Sequence, residues 1–263
     1  MSRIKQTLDA LKKERKKALI TYLTAGHPDI EATEALVIEM VKKGADIVEI
    51  GIPYSDPVAD GPVIQKAAQK ALDNHIKIKD IMYMVERLRQ KTNTPLLYLV
   101  YFNCIFQYGM EKFINHCKRV GIDGLIIPDL PYEESQEIRR ISAKYDVDII
   151  SLVSPTSEER IKRIISDSTG FIYCVSSTGV TGMRKKFEAD FETFMQNVNE
   201  YGDIPKIIGF GISSPEQVKE IKDYADGVIV GSAIVKMIDE HYLASDRLEK
   251  VGAFVTSLKE AVK

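Results

Sequence analysis

Short apolar runs, each followed by a helical pattern, recur along the whole chain and limit its fold more than any other feature. The runs are rich in Val, Ile and Leu, as expected of parallel strands that are buried on both faces. Eight strand–helix units in succession predict a (β/α)8 barrel. A doubly wound open sheet is the alternative, but it usually has fewer units, and no G-x-G-x-x-G fingerprint follows the first run. The predicted strands are Ala18–Thr24, Ile47–Ile50, Leu96–Tyr101, Gly124–Ile127, Val147–Val153, Phe171–Val175, Lys206–Phe210 and Gly227–Val230.

Helical patterns also occur outside the eight regular units. Ser2–Leu11 has amphipathic spacing and precedes the first strand, while Val63–Asp73 and Lys79–Gln90 both fall between the second and third strands. No linker or composition shift divides the chain, so we expect one domain over residues 1–263. The predicted fold class is therefore α/β, a single (β/α)8 TIM barrel with an extra N-terminal helix and extra helices in its βα-loops.

Composition and charge argue against several classes of protein. Lys+Arg 36 against Asp+Glu 38 gives a formal net charge of -2, which disfavours nucleic acid as the main partner. Cys104, Cys117 and Cys174 are odd in number and lack C-x-x-C spacing, and the histidines are dispersed, so no disulfide framework or metal site is predicted. There is no signal-peptide core and no apolar run long enough to cross a bilayer. We therefore expect a cytoplasmic protein without a membrane partner.

The stretch Ile47–Gln65 combines a buried strand with a rigid loop that carries acids. Glu49 interrupts the apolar strand, where a lone carboxylate is costly because its charged form loses hydration. Asp60 follows in the Pro- and Gly-rich loop that leaves the same strand. A structural acid, paired with a base or capping a helix, is the alternative interpretation. The two acids at one strand end favour an active-site pair, since reactive residues of such barrels gather where strands end.

Glycines mark three consecutive loops at the same rim of the predicted barrel. They lie in Ser176–Gly182 after strand six, Gly209–Ser213 after strand seven, and Gly231-Ser232 after strand eight. Glycines allow backbone N–H groups to approach an anion, and a helix N-terminus adds its dipole. Each could be an ordinary turn or helix-capping glycine. Together they predict a phosphate site, which barrels often place between the last two of these loops.

Large apolar residues near the strand ends predict the wall of the barrel mouth. Singly, each is explained as core, but together they suit a flat apolar ring as substrate. They are Tyr22, Leu99, Tyr101, Ile127, Tyr173 and Phe210.

The connection after strand six is the longest on this rim. We extend it as a loop through Met183–Glu188 to a helix near Asp190. Small residues at its base predict a mobile lid that closes over ligand and excludes water, with a merely disordered surface loop as the rival interpretation.

Several of these motifs carry a resemblance to a known family. Glu49–Gln65, EIGIPYSDPVADGPVIQ, closely resembles the signature of the tryptophan synthase alpha subunit family, in which an acid precedes G-I-P-x-S-D-P and then A-D-G-P-x-I-Q. The similarity extends over nearly the full chain, although only the motifs after strands two and six are specific. The other matching segments are Ala25–Asp29, Pro128–Pro131, Gly179–Gly182, Gly209–Ser213 and Gly231-Ser232.

The resemblance implies an activity in the final stage of tryptophan biosynthesis. It is the retro-aldol cleavage of indole-3-glycerol phosphate to indole and glyceraldehyde 3-phosphate, without metal or Schiff base. Glu49 would deliver a proton to the ring and then act as a base, while Asp60 would accept the indole N–H. The implied phosphate site is Gly182, Gly211, Gly231 and Ser232. The implied substrate pocket is Tyr22, Ile64, Leu99, Tyr101, Tyr173, Thr181 and Phe210.

The same resemblance implies a partner. Family members pair with a pyridoxal-phosphate-dependent beta subunit in an alpha-beta-beta-alpha heterotetramer, so no cofactor is expected in this chain. The implied contact surface includes Pro53, Asp56, Pro57, Asn103 and Pro131.

Two residues depart from the family pattern. Many members have Arg where this chain has Ser177, and Phe is common where Tyr22 stands.

Other functions stay open. The nearest rival is a stand-alone indole-3-glycerol phosphate lyase. Another phosphate-binding barrel and a non-catalytic regulatory subunit are more distant alternatives, and the latter would need neither carboxylate.

Overall fold

Eight parallel strands form a closed barrel in chain order, with β8 hydrogen bonded to β1. The computed structural model describes residues 2–155, 158–175, 184–209, 211–242 and 244–263, without the side chains of residues 184–190. The closed barrel of eight parallel strands confirms the predicted (β/α)8 fold. The strands are β1 (Ala18–Thr24), β2 (Ile47–Gly51), β3 (Leu96–Leu99), β4 (Gly124–Ile126), β5 (Asp148–Val153), β6 (Ile172–Val175), β7 (Lys206–Gly209) and β8 (Gly227–Val230).

Helices surround the barrel, and the N-terminal helix and the two helices between β2 and β3 are as predicted. They are α1 (Arg3–Lys13), α2 (Ile30–Lys42), α3 (Pro62–Asp73), α4 (Ile78–Arg89), α5 (Phe102–Tyr108), α6 (Met110–Val120), α7 (Gln136–Tyr145), α8 (Glu158–Ser166), α9 (Arg184–Glu200), α10 (Pro215–Ile221), α11 (Ser232–Glu240) and α12 (Arg247–Val262). Short 3₁₀ turns at Tyr132–Glu134 and Lys222–Tyr224 precede α7 and follow α10.

Alternation along the strands separates an inner from an outer apolar core. On β2, Ile47 belongs to the cluster inside the barrel, whereas Val48 and Ile50 pack outward against the helices. Successive side chains of a strand point to opposite faces, so Glu49 shares the inner face with Ile47. Ile4 and Leu8 of α1 join the inner cluster. The extra helix therefore closes the N-terminal end of the barrel and leaves the other end for a site.

Aspartates connect neighbouring strands at the N-terminal end. Each directly precedes an even-numbered strand, and its carboxylate accepts the backbone N–H at the start of the strand before it. The three bonds run from Leu19 to Asp46 at 2.7 Å, from Leu96 to Asp123 at 2.9 Å and from Lys206 to Asp226 at 2.9 Å. These acids are part of the scaffold.

The structure corrects the predicted region after β3. The strand ends at Leu99 rather than Tyr101, and Phe102–Tyr108 forms a helix, α5, that we did not predict. The side chain of Asp129, from the loop after β4, accepts the N–H of Phe102 at 2.9 Å. A helix start that is stabilised from a distant segment has no local sequence signal, so this helix was missed.

The predicted connection after β6 was also too long. Helix α9 begins at Arg184, so residues 184–188 of the supposed loop Met183–Glu188 are helical. Arg, Lys and Glu make up most of the run MRKKFE and are good helix formers, so the helix can begin earlier than we predicted. The rest of the predicted lid, 176–183, lies outside the described residues.

Candidate active site

Glu49 lies inside the C-terminal half of the barrel. It pairs in register with Tyr22 of β1 and Leu97 of β3, and only 1% of its surface is exposed. Its Oε2 is buried and has no hydrogen-bond partner among the described residues. A structural carboxylate would be paired, because an unpaired buried charge is costly. The predicted alternative of a structural acid is therefore disfavoured.

The electrostatic setting of Glu49 suits a proton donor. Burial, and secondly the negative charge of Asp60, raises the pKa of Glu49 to about 8. Both causes penalise the ionised form. Near neutral pH the side chain is thus held mainly as the carboxylic acid, which has a proton to give.

Asp60 faces the same space from the loop that precedes α3. Burial raises its pKa, and a hydrogen bond from the Tyr101 hydroxyl offsets part of this shift. The hydroxyl oxygen of Tyr101 also accepts the backbone N–H of Ala59 at 3.0 Å. The side chain of Gln65 donates to the carbonyl oxygen of Asp60 at 2.7 Å. These contacts fix the acid-bearing loop on both sides of Asp60.

Both acids line one cavity of about 360 Å³ at the C-terminal end. The volume suits a small-molecule ligand. Most of the predicted and described site residues line this cavity: Glu49, Asp60, Tyr22, Ile64, Leu99, Tyr173, Gly211, Gly231 and Ser232.

Of the predicted pocket residues that the structure describes, Tyr101 is the one that does not line the cavity. It is buried, and its hydroxyl forms hydrogen bonds with Ala59 and Asp60. We predicted it to line the mouth because it lies near the end of the third strand, but β3 ends two residues earlier, at Leu99. The predicted site residues Phe210, Thr181 and Gly182, and the variant position Ser177, lie outside the described residues.

Several lining residues were missed by the sequence analysis. Ile126 of β4 lines the cavity, whereas Ile127, the residue we predicted there, packs in the outer core. A shift of one residue moves a side chain to the opposite face of a strand. Alternation counted from the middle of each strand would have found Ile126. The same signal would have found Leu152 and Ile229.

Two glycines make room for the tyrosines of this cavity. A side chain at Gly51 would collide with the ring and hydroxyl of Tyr22, and one at Gly209 would collide with those of Tyr173. Glycine on the neighbouring strand therefore lets each ring lie across the barrel interior. Burial raises the pKa of both phenols well above their usual value, so they stay neutral.

The predicted phosphate residues meet beside these rings. Helix α11 begins at Ser232, and Gly231 is its N-cap residue. Gly211 has a φ of 72°, a left-handed conformation that glycine adopts without strain. The three residues line the same cavity, so the amide groups at the start of α11 and its positive dipole end are available to an anion.

The predicted partner surface is mostly exposed and lies next to the acid-bearing loop. Asp56, Asn103 and Pro131 are exposed, Pro57 is half-buried, and Pro53 is buried. The Asn103 amide donates to Tyr54 at 3.3 Å, which joins α5 to this loop. Val58 and Phe106 are large apolar side chains with exposed fractions of 83% and 63%. Of the five predicted contact residues, Pro53 is the one whose side chain is not accessible at this surface.

Among the described residues, no group of three or more His, Cys, Asp or Glu side chains is arranged to hold a metal ion. No helix in the same part of the chain combines the length and hydropathy needed to cross a membrane.

Comparison with known proteins identifies the family. The family model for the tryptophan synthase alpha chain matches residues 8–263. A tryptophan synthase alpha chain from Thermoanaerobacter sp. (strain X514) is 54% identical over 262 residues and is covered, like this chain, to 100%. The crystal structure of the alpha chain from Legionella pneumophila superposes with a TM-score of 0.91 at 38% identity, covering 100% of this chain and 97% of that one.

A structure of tryptophan synthase from M. tuberculosis in its aminoacrylate-bound form matches with a TM-score of 0.89 at 32% identity, covering 100% of both chains. Identity at this level over the whole length shows more than a shared fold. The chain belongs to the tryptophan synthase alpha chain family, whose members are lyases that cleave indole-3-glycerol phosphate.

Proposed function

We propose that this lyase cleaves indole-3-glycerol phosphate to indole and glyceraldehyde 3-phosphate with Glu49 and Asp60 as its catalytic pair. The observation that carries this assignment is the buried carboxyl of Glu49, whose Oε2 has no hydrogen-bond partner among the described residues, beside Asp60 in an apolar cavity. Indole is flat and apolar, and the walls formed by Tyr22, Leu99 and Tyr173 match it.

Glu49 supplies the first proton. Its carboxylic acid protonates C3 of the indole ring, which leaves a positive charge delocalised to the ring nitrogen. A base then removes the proton of the side-chain hydroxyl next to C3. The electrons of that O–H bond form the aldehyde C=O, the carbon–carbon bond to C3 breaks, and its electrons neutralise the ring. The carboxylate left by the first step is the base we assign to the second.

Asp60 stabilises the charged ring. As an acceptor for the indole N–H, its carboxylate faces the nitrogen on which positive charge develops, and such a preorganised charge acts mainly in the transition state. Tyr101 orients Asp60 through its hydroxyl and so contributes without lining the cavity.

The phosphate end is assigned to the rim at α11. Gly211, Gly231 and Ser232 provide backbone N–H groups there, with the Ser232 hydroxyl as a further donor. The predicted fourth contributor, Gly182, and the pocket residues Thr181 and Phe210 remain predictions.

A beta subunit is the proposed partner, in an alpha-beta-beta-alpha heterotetramer in the cytoplasm. The exposed Val58 and Phe106 flank the predicted contact residues Asp56, Pro57, Asn103 and Pro131, and apolar exposure of this kind marks interaction surfaces. We assign pyridoxal phosphate to that partner and no cofactor to this chain. We also treat residues 1–263 as one domain.

The test is indole release from indole-3-glycerol phosphate by the wild type and by Glu49→Gln, each with and without an added beta subunit. We expect slow turnover by the isolated wild type and a strong increase with the partner. Glu49→Gln should be slower by about 10²-fold or more, because it cannot donate the proton. Glu14→Gln, an exposed acid beside Lys16, serves as the matched control and should behave like the wild type.

Other outcomes would select the rival functions. Rapid turnover that the beta subunit does not change would identify a stand-alone lyase. A Glu49→Gln enzyme as fast as the wild type would remove Glu49 from the mechanism. Activation of the partner without any cleavage would indicate a regulatory subunit.

A further inference from the structure

The end of α11 carries an acid that faces the helix following Asp60. Asp239 lies near the end of α11, the helix that starts at Ser232, while α3 begins at Pro62, just after Asp60. The two helices pack against each other. Each of the two therefore begins at the proposed active site, one beside the catalytic acid and the other at the phosphate.

Asp239 makes its contacts across this helix pair. Its carboxylate accepts from Lys66 at 2.9 Å and from Lys70 at a shorter distance, both on α3. His27, from the loop after β1, places its Nε2 at 3.5 Å from the same carboxylate. Among the described residues, Asp239 is thus held by two cations of one neighbouring helix, and the buried ring of His27 lies close to it without a hydrogen bond.

The surrounding groups keep Asp239 charged and confined. Burial opposes the charged form of Asp239, but the hydrogen bonds and positive charges of Lys70 and Lys66 together lower its pKa below the usual value. Lys70 also lies over the ring of Tyr242, at 5.6 Å from its centroid, and that ring stacks on His27. His27 is 1% exposed, and burial lowers its pKa, so it is neutral near pH 7.

A small apolar cluster also joins α3 to α11. It contains Ala67 of α3, Val235 of α11 and Tyr22 of the cavity wall. Small apolar contacts of this type resist separation but allow sliding, because they have little directional preference. Two ion pairs to one carboxylate, from lysines one turn apart on α3, fix the position of that helix along its axis.

We propose that Asp239 is a positioning residue for cleavage, which holds α3 against α11 so that Asp60 stays in register with the phosphate site. The inference rests on the proposed function. A substrate whose phosphate is anchored at α11 presents its ring to Asp60 correctly only if α3 does not shift. A misplacement of a catalytic group by about 1 Å can reduce the rate by about 10²-fold.

The test compares Asp239→Asn with Glu240→Gln in the isolated chain and in its complex with the beta subunit. Glu240 is the adjacent acid on α11, and within the described part of the chain its ion pair is with Lys236 of the same helix, at 3.7 Å. We expect Asp239→Asn to lower kcat about tenfold and to change KM for indole-3-glycerol phosphate by less than about twofold, because the phosphate groups are intact. Glu240→Gln should match the wild type in both constants.

Two further measurements separate positioning from loss of stability. The double variant Lys66→Met with Lys70→Met should reproduce the loss in kcat, and adding Asp239→Asn to it should cause no further loss. The pH profile of kcat should also change, since the charge of Asp60 contributes to the raised pKa of Glu49. A displaced Asp60 would move the alkaline decline to lower pH, with Tyr22 and Tyr173 as the other titratable groups that interact with Glu49.

The outcomes distinguish this inference from the proposed function. If the wild type does not cleave the substrate, the proposed function fails. If the wild type cleaves and Asp239→Asn has the same kcat, or if Glu240→Gln loses as much, only the positioning role fails. A lower melting temperature with an unchanged pH profile and unchanged kcat would also overturn it.

Discussion

The two ends of the barrel treat buried carboxylates in opposite ways. At the N-terminal end, Asp123 is 5% exposed and bonds to Arg3 at 2.6 Å, to Arg89 at 3.2 Å and to the N–H of Leu96. At the C-terminal end, Glu49 is buried as deeply, yet its Oε2 has no hydrogen bond within the described chain. Both acids belong to the same barrel, so strand burial alone does not explain the difference.

This contrast shows where the fold places stability and where it places reactivity. The acids before β2, β4 and β8 all cap the strand that precedes their own, so each is satisfied as an anion. Glu49 faces an apolar cavity instead, where its neutral form is favoured. Barrels of this class keep catalysis at the C-terminal face and structural support at the other.

The largest effect on stability should follow from removing Asp123. Asp123→Ala leaves Arg89, which is largely buried, without its carboxylate and leaves the N–H of Leu96 without an acceptor. We expect the free energy of unfolding to fall by about 3 kcal/mol. Chemical denaturation measures this loss, and kcat of the folded fraction should be close to that of the wild type.

Glu49→Gln is the matched comparison at the other end of the barrel. It should abolish most activity without lowering stability near neutral pH, because it replaces a carboxyl that is already mostly neutral. Equal destabilisation by the two substitutions would contradict the contrast between the ends.

The second prediction concerns pH. Glu49 has a folded pKa of about 8, above that of an unfolded glutamate. Below the unfolded pKa both states are protonated, and the group costs nothing. As pH rises toward the folded pKa, the unfolded state ionises and the native state does not, so stability is lost across that window. Between about pH 5.5 and about pH 7, wild type should lose about 2 kcal/mol relative to Glu49→Gln.

Denaturation of both proteins at each pH measures that difference directly. The comparison cancels the titration of all other groups, provided that they are unchanged by the substitution. A stability difference that is constant with pH would show that Glu49 is ionised in the folded chain. The contrast with Asp123 would then be one of hydrogen bonding alone.

The fold could be predicted because its signal is periodic and repeated. Apolar β-branched runs alternate with amphipathic helices, and the register inside each strand follows from alternation. The start of α5 could not be predicted, because its first N–H is accepted by Asp129 from the loop after the next strand. Closure of the N-terminal end by Ile4 and Leu8 is also a matter of tertiary packing.

The site was predictable to the extent that its residues are adjacent in sequence or carry a motif. Glu49 and Asp60 share one segment, and the glycines at the rim belong to recognisable loops. Tyr101 was predicted to line the pocket, whereas in the structure its hydroxyl bonds to Ala59, a contact between distant parts of the chain that has no sequence signal. Asp239 gave no sequence signal, since its partners lie on α3 and on the loop after β1.

The smallest predicted effect tests how the catalytic end is packed. A side chain at Gly51 would collide with Tyr22, whereas one at Gly61 would meet no atom within 4 Å. Gly51→Ala should therefore lower the free energy of unfolding by about 1–2 kcal/mol through overpacking. Gly61→Ala, the control for stability, should change it by less than about 0.5 kcal/mol.

Tyr22→Leu in the Gly51→Ala background should restore part of that loss. The costs of the two substitutions will then be non-additive by about 1 kcal/mol, because Tyr22→Leu removes the ring with which a side chain at position 51 collides. Additive costs would mean that Tyr22 moves aside freely. The cavity wall would then be deformable. A rigid Tyr22 ring could not be the reason why the Oε2 atom of Glu49 has no hydrogen-bond partner among the described residues. Non-additive costs would show that the catalytic end is as tightly packed as the N-terminal end, and that the two differ in how they treat charge rather than in rigidity.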